Sequence, residues 1–213
     1  MYIPRRYAEN DTEKVFAFIR ENSFGILISV KDGLPVATHI PLLLEKNEEG
    51  KDVLIGHISR GNDQKYTLTN GAKVLAIFTG PHAYISPRWY SQLNVPTWNY
   101  IAVHIYGTVK LMEGEALKAA VTRLTHNYEH TLPHPVKVEE IPEKTLHDDL
   151  RGIVGFEITI DDIQAAYKLS QNRDEKSYHS VIDHLEQGDE TTKAVAAEMR
   201  ERSGGVFGDE EGK

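Results

Sequence analysis

Hydrophobic and polar positions alternate in short, strand-length blocks along most of this chain. Residues 24–30, FGILISV, form one such block, and Lys31-Asp32-Gly33 behind it is a turn signal that predicts a hairpin. The return strand is expected over 35–44, a polar turn over 47–51 and a third strand over 53–58. A short helix is expected over 63–69, stopped by Asn70-Gly71, then a strand over 74–79 broken by Gly80-Pro81. An aromatic-rich stretch runs on to Tyr100, and 101–111 reads as a long strand. Helical spacing takes over in two places. Val15, Phe16, Phe18 and Ile19 share a face behind Asn10 and Glu13, which have capping-box spacing. Over 113–130, Leu117, Val121, Leu124 and Tyr128 fall on one side. Pro133, Pro135 and Pro142 predict an irregular connection, 153–160 a further strand, 177–186 and 191–201 two helices, and the final SGGVFGDEEGK a frayed tail.

Strands come first, with helices between and after them and no regular βαβ alternation. That order argues against a parallel doubly wound sheet. It points to a mainly β chain, an antiparallel barrel with peripheral helices and a C-terminal helical segment. The 213 residues suffice for one substantial domain with a small appendage.

Composition is ordinary for a globular chain, at 40% hydrophobic and 26% charged residues. With no cysteine, structural disulfides, zinc–thiolate sites and thiol catalysis are excluded. The opening MYIPRRYAENDTEKV lacks an apolar core, so no secretory signal is expected. No apolar run reaches the ~18 residues of a membrane span. A cytoplasmic protein with no membrane partner is the expectation. The formal net charge of −8 argues against direct binding to duplex DNA, where phosphate neutralisation supplies much of the affinity, although a local basic patch stays open.

Three segments can carry chemistry. In GHISRGNDQ, residues 56–64, a strand ends in a polar loop with Ser59, Arg60, Asn62 and Gln64. A hydroxyl, a forked cation, amides and the main-chain N–H groups of a helix start form an anion cradle suited to a phosphate monoester. The same spacing equally fits a solvated turn with Asn62 or Asp63 as N-cap. Residues 80–100 hold both tryptophans, Trp89 and Trp98, with Tyr84, Tyr90 and Tyr100. Such polar-tipped aromatics suit a planar ligand, or simply cover the end of a barrel. In KLSQNR, residues 168–173, two cations bracket Ser170, Gln171 and Asn172, a second anion-friendly cluster or an ordinary turn.

HNYEH, residues 126–130, matches an inverted-zincin spacing. Helical geometry turns His126 and His130 about 180° and 220° from Leu117, away from the buried side, so no metal site is expected there. His39, His57 and His104 lie on expected strands, Asp148-Asp149 and Asp161-Asp162 read as capping and solubility residues, and neither a P-loop nor a G-x-S-x-G elbow occurs.

MYIP at the N-terminus, THIPLLL (38–44), GHISRGNDQ, FTGPHAYISPRWY (78–90), VPTWNYIAVHIYG (95–107) and KLSQNR follow one another in this order. Together they make the chain resemble the PaiB-type FMN-binding negative transcriptional regulators, from Met1 to about Arg173. Arg5-Arg6-Tyr7 departs from the more usual aromatic-containing variant, and Gly61 stands where a small residue such as alanine is common. The resemblance implies an FMN-binding split barrel over 1–173, followed by a helical appendage over 174–203 and a tail over 204–213. It implies a homodimer with FMN near the subunit interface. The strand at Thr38, His39, Ile40 and Pro41 would approach the isoalloxazine edge, and Ser59, Arg60, Asn62 and Gln64 would cradle phosphate and ribityl. Ser86, Tyr90, Trp98 and Asn99 would flank the ring, and Lys168, Ser170, Gln171 and Asn172 would complete the pocket from either subunit. The implied function is repression of protease-synthesis and sporulation genes, with DNA or a regulatory protein as partner. The alternative is a flavin-dependent oxidoreductase on a small molecule, with His82 or Tyr90 as proton donor. A cofactor-free binding module is a third reading, and it would leave Arg60 a plain surface residue.

Overall fold

The computed structural model describes residues 1–207. The chain divides into two compact units. One comprises Met1–Val15, Thr79–Val103 and Gln164–Lys213; the other comprises Phe16–Phe78 and His104–Ile163.

The second unit holds four strands whole: β1 (Phe24–Lys31), β2 (Leu34–Pro41), β3 (Leu43–Lys46) and β4 (Asp52–Ser59). It also holds part of β5 (Lys73–Ile85), β6 (Thr97–Met112) and β7 (Ile153–Lys168). The seven strands form one sheet in the order β2-β1-β5-β6-β7-β4-β3, and every strand pair with an assigned register is antiparallel. The expected β1–β2 hairpin closes through Asp32 (φ 52°) and Gly33 (φ 80°), the two-residue left-handed turn whose twist suits a hairpin.

The expected return strand over 35–44 is two strands. Pro41 pairs with Phe24 of β1, whereas Leu43 pairs with Ile55 of β4. Only Leu42 separates them, its N–H donating to the Ser23 carbonyl at 2.9 Å and its side chain fully buried. Strands at opposite ends of the order are thus joined through one residue, which requires the sheet to curl until its ends meet. Gly56 lies beneath this crossing. A Cβ there would come within 2.8 Å of Leu42 Cδ2, so a larger residue would have to displace the Leu42 side chain.

β4 is buried at Val53, Leu54, Ile55, Gly56 and Ile58, on both faces. The helix α2 (Gly114–Glu129) covers one of them, and Ala120 clusters with Val53 and Ile55. His126 of α2 and His130, its C-cap, are exposed, as the helical wheel requires, and their rings stack at 5.6 Å.

Several boundaries differ from expectation. The helix α1 (Thr12–Glu21) is capped by Asp11, whose Oδ1 accepts from the N–H groups of Glu13 and Lys14, rather than by Asn10. The helix expected over 63–69 is a single 3-10 turn, Asp63–Tyr66. β5 runs through Gly80-Pro81, with buried positions shifting from the even residues 74, 76 and 78 to the odd residues 83 and 85. That change of phase is how the strand absorbs a Gly-Pro step without stopping. Within the proline-flanked connection a helix forms, α3 (Glu143–Arg151), with no fully buried residue.

In the first unit, α4 (Glu175–Leu185) and α5 (Glu190–Phe207) pack through Tyr178, Val181, Leu185, Val195 and Met199. α5 continues through residues expected to fray as far as Phe207, whose ring meets Tyr178 edge-on at 5.2 Å. The rest of the expected tail, 208–213, lies outside the described residues.

Candidate functional site

A cleft of about 600 Å³ opens in the second unit where β2 faces the end of β4. Thr38, Ile40 and Pro41 of β2, with His57, Ile58, Ser59 and Asn62 of β4 and its loop, line it. Two expected segments, twenty residues apart in sequence, are brought to one opening. Asn62 joins them: its Nδ2 donates to Thr38 Oγ1 at 2.9 Å, and its Oδ1 accepts from the Gln64 N–H at 2.9 Å. The Asn62 capping alternative therefore holds, and the same side chain fixes the cleft.

The other residues expected here have diverse placements. His39 is exposed and stacks on Phe24, 6.4 Å between ring centres. Gln64 is buried and bonds inward, Nε2 donating to the Leu27 carbonyl and Ser29 Oγ, both at 3.0 Å, and to the Val36 carbonyl at 3.3 Å. Arg60 folds towards the start of β7, with Nε on the Arg151 carbonyl at 2.9 Å and one terminal nitrogen on the Ile153 carbonyl at 3.0 Å. Its other terminal nitrogen has no hydrogen bond among the described residues. Of the main-chain N–H groups expected to be free at the helix start, those of Gln64 and Lys65 are bonded to Asn62 Oδ1 and the Asn62 carbonyl, and ahead of them those of Arg60, Gly61 and Asn62 are bonded to the Gly152 carbonyl, Ser59 Oγ and the Ser59 carbonyl. Of the side-chain donors expected for an anion, the Ser59 hydroxyl lines the cleft, whereas Arg60 lines a separate cavity of the same unit.

Ser86, Tyr90, Trp98, Asn99, Lys168, Ser170, Gln171 and Asn172 all belong to the first unit. Asn99 is fully buried, accepting from Ser170 Oγ at 3.0 Å and donating to Met199 Sδ at 3.3 Å. Gln171 bonds its own turn, accepting from the Leu169 N–H and donating to the Tyr167 carbonyl. That turn holds Ser170 at φ 66°. Ser86 caps a 3-10 turn through the Arg88 N–H, and Asn172 is exposed. Lys168 donates to Thr97 Oγ1, and burial with the neighbouring Arg173 charge lowers its pKa. Arg173 lies 4.2 Å over the Tyr90 ring, and the buried Tyr90 Oη has no hydrogen bond among the described residues. Trp98 is half exposed beside His82 and Tyr84.

Residues 1–162 match a family model described as "Putative FMN-binding domain". This chain belongs to that FMN-binding family. It is 43% identical over 201 residues to the "Protease synthase and sporulation protein PAI 2" of Bacillus subtilis (strain 168), covering 94% of this chain and 97% of that protein. The PaiB-type resemblance carried by the six motifs is thereby shown. Among solved structures, the chain is similar to the FAD and heme binding protein from Mycobacterium smegmatis, with TM-score 0.59 at 18% identity over 76% of this chain and 73% of that one. It is also similar to the flavocytochrome Anf3 from Azotobacter vinelandii, with TM-score 0.54 at 18% identity over 84% and 78%. The fold is the expected flavin-type split barrel, and FMN is the cofactor of this FMN-binding protein.

The cleft fits that cofactor in kind: an apolar wall of Ile40, Pro41 and Ile58 faces the hydrogen-bonding groups of Thr38, Ser59 and Asn62. Burial lowers the His57 pKa and favours a neutral ring at its edge. Asp148 and Asp149 also line the opening, together with Gly152 and Ile153. Their place at this opening carries no sequence signal: Asp148 and Asp149 read as capping and solubility residues, and Ile153 only as the start of a strand.

Proposed function

We propose that this chain is a cytoplasmic, homodimeric FMN-dependent negative regulator of protease-synthesis and sporulation genes, with FMN held by the cleft of the second unit. The observation that carries the reading is the meeting of Thr38, Ile40 and Pro41 with Ser59 and Asn62 at one opening in a chain of the FMN-binding family. Ser59 and Arg60 take the phosphate, Thr38 and Asn62 the polar edge of the flavin, and Ile40 and Pro41 its apolar face. FMN supplies the redox chemistry; this chain's residues bind and orient it. Gln64 supports the site from behind through the β1–β2 hairpin.

The regulatory role is supported by the likeness to the sporulation protein PAI 2 along nearly the whole of both chains. The homodimer is supported by Phe24, Val30 and Leu34, each more than 60% exposed on the β1–β2 hairpin, at one end of the strand order. Among the described residues, no helix is long and apolar enough to cross a membrane.

The test joins three measurements on one preparation: FMN titration, mass in solution, and a gel shift on the chain's own promoter region at physiological salt. Saturable FMN binding by a dimer that shifts a promoter fragment supports direct repression. A dimer that binds FMN and shifts none removes direct repression and leaves a regulatory-protein partner. A second reading, a flavin-dependent oxidoreductase, is favoured by the exposed His82–Tyr84–Trp98 platform, with rings 5.6 Å and 6.3 Å apart. It requires that FMN-loaded protein oxidise NAD(P)H, and failure with every candidate acceptor counts against it.

A further inference from the structure

A second cavity in the same unit, of about 640 Å³, lies between α2, α3 and the start of β7. Its size is that of a small-molecule pocket. Its walls are mostly apolar, and α3 contributes Leu146 and Leu150, one helical turn apart. No residue of α3 is fully buried, so its apolar stripe faces this cavity rather than a packed core. Packing alone leaves that stripe half covered.

The charges around the cavity set what it takes. Arg60, Lys65, Lys118 and Arg151 line it, and none of them is in an ion pair among the described residues. Glu113, Glu115 and Glu143 line it too. These carboxylates stand at the starts of α2 and α3, where the helix amides offset their charge. Arg151 is similarly offset at the end of α3. Arg60 is offset only in part, by the Arg151 and Ile153 carbonyls that it clamps, and Lys118 stands in the N-terminal half of α2, where no helix-end carbonyls offset it. Lys65 Nζ donates to the Arg60 carbonyl at 2.5 Å, which ties two of these cations to one corner.

We propose that this cavity is a binding site for an apolar carboxylate, with its chain against Leu146 and Leu150 and its head group at the Arg60–Lys65–Lys118 end. Arg60 and the α3–β7 junction stand between this cavity and the flavin cleft: Ile153 lines both, and Arg60 clamps the Arg151 and Ile153 carbonyls. The carboxylate and the FMN phosphate therefore compete for one guanidinium, and each weakens the other by the same factor. The site stands without the flavin reading; only this coupling rests on it.

Calorimetric titration with dodecanoate, well below micelle formation, tests the site directly, with dodecyltrimethylammonium as the cationic control. Saturable binding of dodecanoate and none of the cation is expected. Leu150→Asp, which places a charge in the apolar stripe, and Lys118→Glu, an exposed reversal at the polar end, are each expected to weaken dodecanoate by about tenfold or more. Melting curves establish that the variants fold, and Lys118→Glu serves if Leu150→Asp does not. Binding of both amphiphiles alike, no saturable dodecanoate binding, or an unchanged Kd in folded Lys118→Glu overturns the proposal. Repeating the titration with saturating FMN tests the coupling, which predicts a several-fold weaker Kd that becomes FMN-independent in Arg60→Ala. Dodecanoate binding by a protein that takes up no FMN would remove the flavin reading and leave the carboxylate site standing.

Discussion

Arg60 and Gln64 belong to one polar motif, yet the fold puts them in opposite environments. Gln64 is buried with its amide bonded to the Leu27 and Val36 carbonyls of the β1–β2 hairpin, whereas Arg60 stays exposed over the β7 start. A buried acceptor that loses its donor costs about 1–3 kcal/mol. Gln64→Leu is therefore expected to lower Tm markedly, and an unchanged Tm with lost FMN binding would instead make Gln64 a ligand contact. Asp148 and Asp149 act in the other direction, bringing negative charge to the cleft proposed for a phosphate. Exposed charge pairs are worth about 0.2–1 kcal/mol, so Asp148→Asn with Asp149→Asn is expected to tighten FMN up to several-fold, with the gain shrinking as salt rises. Unaltered affinity at low salt would place the phosphate elsewhere. His57 contributes a pH dependence. Burial holds its pKa below the ordinary value, so the fold binds the neutral ring. As pH falls through about 6.5 the unfolded chain takes up its proton first, so stability present above that pH is lost on the way down to the depressed folded value. His57→Gln is expected to flatten that part of the stability curve; a curve identical to the parent's would refute the assignment.

Among the elements, the packed α4–α5 pair is also held by a buried phenol. Tyr178 donates to the Met199 carbonyl at 2.8 Å, and burial raises its pKa to about 12. Tyr178→Phe is expected to cost about 0.5–1.5 kcal/mol in thermal unfolding, and a loss well beyond that would mean more than this bond is broken. Elements elsewhere in the chain differ in how legible they are in the sequence. The β1–β2 turn, α2 and its outward histidines followed from Asp32-Gly33 and from the Leu117–Leu124 spacing, because both signals are local. The two-strand split at Leu42 was not legible, since the pattern over 35–44 is continuous and the change of partner is a long-range pairing. α3 was missed because Leu146 and Leu150 are its whole apolar stripe and three prolines precede it. β5 was cut short because Gly80-Pro81 usually ends a strand, and here a change of phase carries it through.

For the whole molecule, the split barrel and the FMN family were legible in the order of the six motifs, while the geometry of the cleft was legible only in part. Thr38, Ile40, Pro41, Ser59 and Asn62 do come together, but which of their neighbours bind outward depends on bonds such as those of Gln64 that no spacing reveals. The exposed hairpin makes a corresponding claim about assembly. For the proposed homodimer, Leu34→Asp is expected to shift the mass in solution from dimer to monomer, and a dimer that persists would put the interface on another face. The central claim concerns the cleft, and the direct test is equilibrium FMN titration, followed by flavin fluorescence quenching, of the parent protein beside Arg60→Ala and Ser59→Ala. Saturable binding is expected, weakened in Arg60→Ala by about 1.5–3 kcal/mol for the lost charge-assisted contact and less in Ser59→Ala. Binding undiminished in both folded variants would contradict the account.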